Sequence, residues 1–236
     1  NFDVGIFHGA YRIVLNVVSV ANSITFAIFP FLSRLTVSSE YSLQLVYEKS
    51  FKLTLLIGVP VAIMLSSFAE PIVTIVLGHK YLETVPVLQI FGGIFLLVFL
   101  RTFIMKMLVA GGRQGLTTVV AGISLTANVT LALILIPKMS YMGAAYSTLI
   151  SELVAVSIAF YLVSKHLDLH VAPQVVLKPL CAGTVTYLAL FLLHDINAVL
   201  GGGMGMAVYA GALLTLGTFT ADEIGLCKKL LRGTSA

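Results

Sequence analysis

Seven long apolar stretches, separated by short polar gaps, organise this 236-residue chain. They run over about 7–33, 51–69, 86–109, 115–136, 142–164, 174–193 and 205–220. Crossing about 30 Å of hydrocarbon takes roughly 20 helical residues, and these stretches are near that length. Runs such as Leu131–Ile136 show no period of two, which argues against alternating barrel strands. An open chain in lipid must then be helical, because its backbone N–H and C=O groups find no water there. The expected fold is all-α: a polytopic transmembrane bundle of about seven spans over 1–220, with a cytoplasmic tail over 221–236.

The gaps carry the punctuation. Pro30, in Phe29-Pro30-Phe31-Leu32-Ser33-Arg34, bends or ends the first helix. The polar gap 35–50 includes an amphipathic entry to the second, whose middle holds Gly58 and Pro60 and is expected to kink. The gap 70–85 contains Ile72–Leu77, too short to cross, so it belongs at the outer interface. Gly111-Gly112-Arg113 reads as a tight inner turn and Pro137–Tyr141 as a tight outer one. The gap 194–204 is Gly-rich and expected to be flexible. A capping box, Thr220-x-x-Glu223, opens a tail helix that suits either the membrane surface or solvent.

Composition agrees with the pattern. With 58% hydrophobic and 10% charged residues, the chain lacks the polar groups to cover a water-facing globule. The net charge of +4 is no nucleic-acid footprint, because basic residues are scattered and no basic pair precedes Lys228-Lys229. If the first gap is cytoplasmic, only Arg12, Lys80 and Lys138 of the 14 Lys and Arg fall on or toward the outside. That bias places the start of the chain outside and the C-terminus inside the cytoplasmic (inner) membrane. Cys181 and Cys227 both fall near cytoplasmic ends, where a disulfide is not expected. A multispanning chain that starts outside with the short tail Asn1–Ile6 suggests that segments precede it.

Three charges break the pattern by lying inside apolar stretches: Arg12, Arg101 and Glu152. Arg12, Asn16, Ser19 and Ser23 share one helical face, and a polar stripe in a membrane helix faces protein or a water-filled cavity. Arg12, with Asn16 beside it, reads either as a cation for an anionic substrate group or as an arginine that snorkels to headgroups. Arg101, on a face with Gln89, Gly93 and Leu97, has the same two readings. Glu152 is the only acidic residue deep in a span; left unpaired it favours its neutral form and could bind a proton or Na⁺, and the alternative is a structural, arginine-paired carboxyl. The stripe Gly143, Ser147, Ser151, Ala155 and Ala159 is a close helix-packing face. Asn128, on a face with Thr117, Ala121 and Ser124, is either interhelical glue or a ligand contact. No Walker loop, HExxH, GxSxG or aspartate-rich metal motif is present, so nothing supports an enzyme or a cofactor. The five histidines lie near helix ends with no ligand constellation.

Several short motifs stand in a fixed order. They are Val4-Gly5-Ile6-Phe7-His8-Gly9-Ala10-Tyr11-Arg12; Pro30, Leu32, Ser33, Arg34 and Leu35; Gly58-Val59-Pro60; Gly78-His79-Lys80-Tyr81; Ala110-Gly111-Gly112-Arg113; Asn128 with Ile136-Pro137; Gly143-Ala144-Ala145; and Ser151-Glu152. Over residues 4–165 this series resembles the polysaccharide flippases of the multidrug/oligosaccharidyl-lipid/polysaccharide superfamily, with Phe7 standing where that family commonly has Tyr. The resemblance implies the C-terminal lobe of a two-lobed transporter whose N-terminal lobe is absent from this chain. It also implies a job, moving a polyprenyl-pyrophosphate-linked oligosaccharide between leaflets by alternating access, driven by an ion gradient of H⁺ or Na⁺. Arg12, Asn16, Arg101 and Asn128 are then the substrate-binding candidates and Glu152 the ion-coupling one, in contact with membrane lipids and no nucleic acid. The competing expectations are a multidrug exporter or lipid II flippase of the same superfamily, a membrane glycosyltransferase or polymerase, and a non-transporting scaffold of a glycan-assembly complex.

Overall fold

The computed structural model of the chain describes residues 2–34, 41–192 and 198–218. Among these there is no strand. The helices are α1 (Phe2–Arg34), α2 (Tyr41–Ser67), α3 (Ala69–Val76), a 3-10 helix (His79–Thr84), α4 (Val85–Ala110), α5 (Gln114–Leu167), α6 (Pro173–Leu192) and α7 (Ala198–Thr215). The chain is all-α, as the apolar runs require. Five of the described helices are long and apolar enough to cross a membrane, and Leu200–Thr215 adds a shorter apolar one.

One of the five is two crossings joined. A straight helix of 54 residues would be roughly 81 Å long, far more than a bilayer. Ser140 leaves helical geometry (φ 49°, ψ −130°), three residues after Pro137, and the chain folds back there. The Asn128 amide on the first arm donates to Ser151 Oγ on the second at 3.1 Å; along a straight helix these residues would be about 34 Å apart. Gly143 makes the fold tight, because a Cβ there would run into the Leu135 carbonyl of the first arm. The arms coincide with the apolar runs 115–136 and 142–164.

Residues Asn1–Ala172 form one compact unit and Pro173–Ala236 a second. In the first, α4 is central and packs on α5, α2 and α1. It is apolar over most of its circumference, with Phe91, Phe95, Phe99 and Phe103 buried at every fourth position, the pattern of a helix enclosed by others. Gly92 lets α2 approach closely, since a Cβ there would strike the Ala62 carbonyl and the Ser66 hydroxyl. Gly93 lies near Leu149 and Gly111 near Leu167, so α4 and the second arm of α5 run in the same direction. In the second unit α6 packs on α7 through Ala182, Gly183, Thr186 and Leu190. The Lys178 ammonium donates to the Gly217 carbonyl at 2.8 Å, where a cation favours the C-terminal end of a helix.

The sequence-based boundaries change in two places. The second helix begins at Tyr41, ten residues before position 51, and stays helical through Pro60. Its polar start is tied down by Gln44, whose amide accepts from the His170 backbone N–H at 3.0 Å and donates to the His170 carbonyl. The gap expected to be flexible over 194–204 is largely helix, since α7 starts at Ala198 and runs through Gly201–Gly203 to Thr215. Glycine is less favourable than alanine in a helix by about 1 kcal/mol, and packing on α6 outweighs that. The first helix runs through Pro30 and ends at Arg34, one residue past the expected 33. The expected tail over 221–236, its capping box, Cys227, His194 and positions 35–40 of the first gap lie outside the described residues.

Candidate functional site

A cavity of about 590 Å³ opens in the first unit between α1, α4 and both arms of α5. Helical spacing selects its walls. From α1 come Phe7, His8, Tyr11, Val14, Leu15 and Val18; from α4 come Phe91, Ile94, Val98 and Arg101. The first arm of α5 supplies Ala121, Ser124, Leu125 and Asn128, and the second supplies Thr148, Ser151 and Glu152. The lining is mostly apolar, with the polar groups gathered where α4 meets α5.

The centre of that gathering is an ion pair. Arg101 Nε–H donates to Glu152 Oε2 at 2.7 Å, and Arg101 Nη2 donates to Oε1 at 3.2 Å. The two planar groups meet fork to fork, the geometry that gives arginine–carboxylate pairs their strength and direction. Arg101 lies about 15 Å along its helix from Gly111, and Glu152 about 18 Å from the turn at Ser140. At such depth a lone charge is costly, so each member is the condition for the other. The pair keeps access to the cavity, with side-chain exposures of 29% for Arg101 and 13% for Glu152. Next to it, Ser151 Oγ accepts from the Asn128 amide and donates to the Thr148 carbonyl at 2.9 Å. This second link ties the two arms of α5 and orients the Asn128 amide at the cavity edge.

Of the five residues singled out from the sequence, the fold brings three together: Arg101, Asn128 and Glu152. Arg12 and Asn16 are exposed on another side of α1 and do not line the cavity. The rest of their stripe satisfies itself, as Ser19 and Ser23 donate to the carbonyls of Leu15 and Ser19 at 2.9 Å each. Glu152 is therefore the arginine-paired carboxyl, not the unpaired one. Asn128 is interhelical glue and a cavity-lining amide at once.

His8 and Tyr11 were missed. Their signal is the 3- and 4-residue spacing of His8, Tyr11 and Leu15, one helical stripe, next to the more conspicuous charge of Arg12 on the adjacent face. Tyr11 stacks on Phe7 with ring centroids 6.0 Å apart, and Phe91 meets Phe7 edge-on at 5.4 Å. Phe7, where the resembled family has Tyr, thus serves packing in the cavity wall. Among the described residues no three His, Cys, Asp or Glu side chains gather as a metal site. An apolar cavity with one ion pair, an amide, hydroxyls and an imidazole can hold the polar head of an amphiphile and exchange ionic partners with it.

Known proteins agree with a membrane setting. Over 132 residues the chain is 33% identical to an uncharacterized membrane protein of Methanocaldococcus jannaschii, covering 54% of this chain and 25% of that protein. The chain thus spans about a quarter of that relative's length. Residues 11–201 match the family described as Lipid II flippase MurJ, a stretch that runs from α1 into α7 and contains both members of the ion pair. The chain is a multi-pass membrane protein that belongs to the lipid II flippase MurJ family.

Proposed function

We propose that the protein is a transporter, not an enzyme, and flips a saccharide carried on a polyprenyl pyrophosphate across the cytoplasmic membrane by alternating access. The observation that carries this reading is the Arg101–Glu152 fork in the wall of a mostly apolar cavity. A pyrophosphate head needs a cation, and a planar guanidinium is suited to phosphate oxygens. The amide of Asn128 and the neighbouring hydroxyls offer hydrogen bonds to a sugar. Glu152 is the carboxylate for a coupling H⁺ or Na⁺. Arg12 and Asn16 meet cargo, in this reading, across the other face of α1, toward a second lobe. The C-terminus lies on the cytoplasmic side, by the excess of basic residues in the inner gaps.

Two cargoes share this chemistry. The ordered motifs over 4–165 favour an oligosaccharide destined for surface polysaccharide, and the family match over 11–201 favours lipid II. Full-length protein in sealed vesicles, given each labelled lipid in turn, decides between them. Arg101→Ala and Glu152→Gln should each lower translocation at least about tenfold, the loss of roughly 1.4 kcal/mol in a rate-limiting step. Full activity in Arg12→Ala, Arg101→Ala and Glu152→Gln together would overturn the site. Failure of both lipids to cross would overturn the function and favour a scaffold.

A further inference from the structure

Resting on the reading of the cavity as an anion site, we infer that Glu152 is an internal stand-in for the ligand's phosphate. An anionic headgroup reaches Arg101 only by displacing the Glu152 carboxylate, and the displaced carboxylate takes up one proton from solvent. Anion and proton therefore enter together.

The geometry carries this in three steps. First, both carboxylate oxygens of Glu152 are engaged by Arg101, through Nε and Nη2. This is the same two-pronged arrangement that a phosphate would take. Arg101 is thus occupied before any ligand arrives, and Arg12 does not line the cavity to replace it. Second, the pair faces the cavity rather than being sealed in the core. An incoming anion can exchange N–H···O bonds one at a time, first at the longer Nη2 contact. Third, among the described residues no other Lys or Arg lines the cavity to receive Glu152 once it lets go. Its titratable or charged neighbours there are His8 and Tyr11 on α1 and Arg101 on α4; the first arm of α5 offers only the neutral Ser124 and Asn128, and its own arm Thr148 and Ser151. A carboxylate left without a partner beside an anion, in a largely apolar cavity, is destabilised as a charge by both, so it binds a proton.

Before exchange the pair sums to zero charge. After exchange Arg101 offsets one of the anion's charges and Glu152 is neutral. Linkage makes the effect reciprocal: protonating Glu152 frees Arg101 and strengthens anion binding by the same factor that the anion strengthens protonation.

The test is binding of farnesyl pyrophosphate, a short polyprenyl pyrophosphate, to full-length protein in lipid nanodiscs at several pH values. Because the probe titrates too, wild type is compared with Glu152→Gln, which keeps hydrogen-bonding groups and has no proton to gain. Both carry His8→Gln in a parallel set, removing the imidazole that also lines the cavity. Relative to Glu152→Gln, wild-type affinity should fall by up to about tenfold per pH unit as pH rises, the slope of one linked proton. Glu152→Gln should bind more tightly than wild type at the alkaline end, and calorimetry in buffers of different ionisation enthalpy should show one proton fewer taken up. If Glu152→Gln does not fold, Glu152→Asp must retain the slope. The wild-type proton uptake, after subtracting the probe's own titration in water, must then be about one. Equal slopes in wild type and Glu152→Gln would overturn the exchange and leave the proposed function standing. Absence of binding at every pH in both would overturn the anion site itself.

Discussion

The two arms of α5 are both apolar, yet they are used in opposite ways. In the first arm, Val120 is the one buried position; Leu133 and Ile134 are 73% and 50% exposed. The second arm buries Gly143, Ala145, Ser147, Ser151, Ala155, Ala159 and Val163. Large side chains thus lie outside and small ones inside, the reverse of a protein in water. In lipid there is no hydrophobic gain from hiding a leucine, because the surroundings are as apolar as leucine itself. What holds helices together is close approach, which small residues permit, and a few well-made polar links such as Asn128–Ser151 and Arg101–Glu152. The polar links join these same elements, so the arm that packs tightest also carries the acidic group of the cavity.

Substitutions can break this contrast. The largest effect is expected at Gly143→Ala, where the added Cβ meets the backbone of the other arm at Leu135 and nothing flexible can yield. A loss of about 3 kcal/mol or more should appear in unfolding titrations of the purified protein. Ala155→Leu comes next, since Ala155 is fully buried in the small-residue stripe. Overpacking there should lower stability by about 1–3 kcal/mol and reduce the melting temperature. Leu133→Ala on the exposed arm should be the smallest, within about 0.5 kcal/mol in the same titration. If Leu133→Ala proved as damaging as Ala155→Leu, the first arm would be packed against protein and the contrast between the arms would fail.

Much of this was legible from residue order. The turn at Pro137–Tyr141, the packing stripe from Gly143 to Ala159 and the unusual depth of Arg101 and Glu152 all follow from spacing along one helix. The extent of α7 was not, because glycines at 201–203 read as a loop until a partner helix is present. The start of α2 was legible only as an amphipathic entry within a gap: residues 41–50 mix apolar and polar side chains, and their helix is secured by Gln44 on the backbone of His170, 126 positions away.

The sequence by itself determined the all-helical class and the candidate charges, because hydrocarbon forces local backbone pairing and makes any buried charge conspicuous. Tertiary structure decided which of those charges meet. Apolar positions look alike whether they face lipid or another helix, so periodicity cannot say which side of α1 lines a cavity. The register between α4 and the second arm of α5 sets Arg101 against Glu152, leaves Arg12 on another face, and brings His8 and Tyr11 into the wall instead. That register is a property of packed surfaces, fixed where Gly93 meets Leu149 and Gly111 meets Leu167, and it exists only once the helices are together.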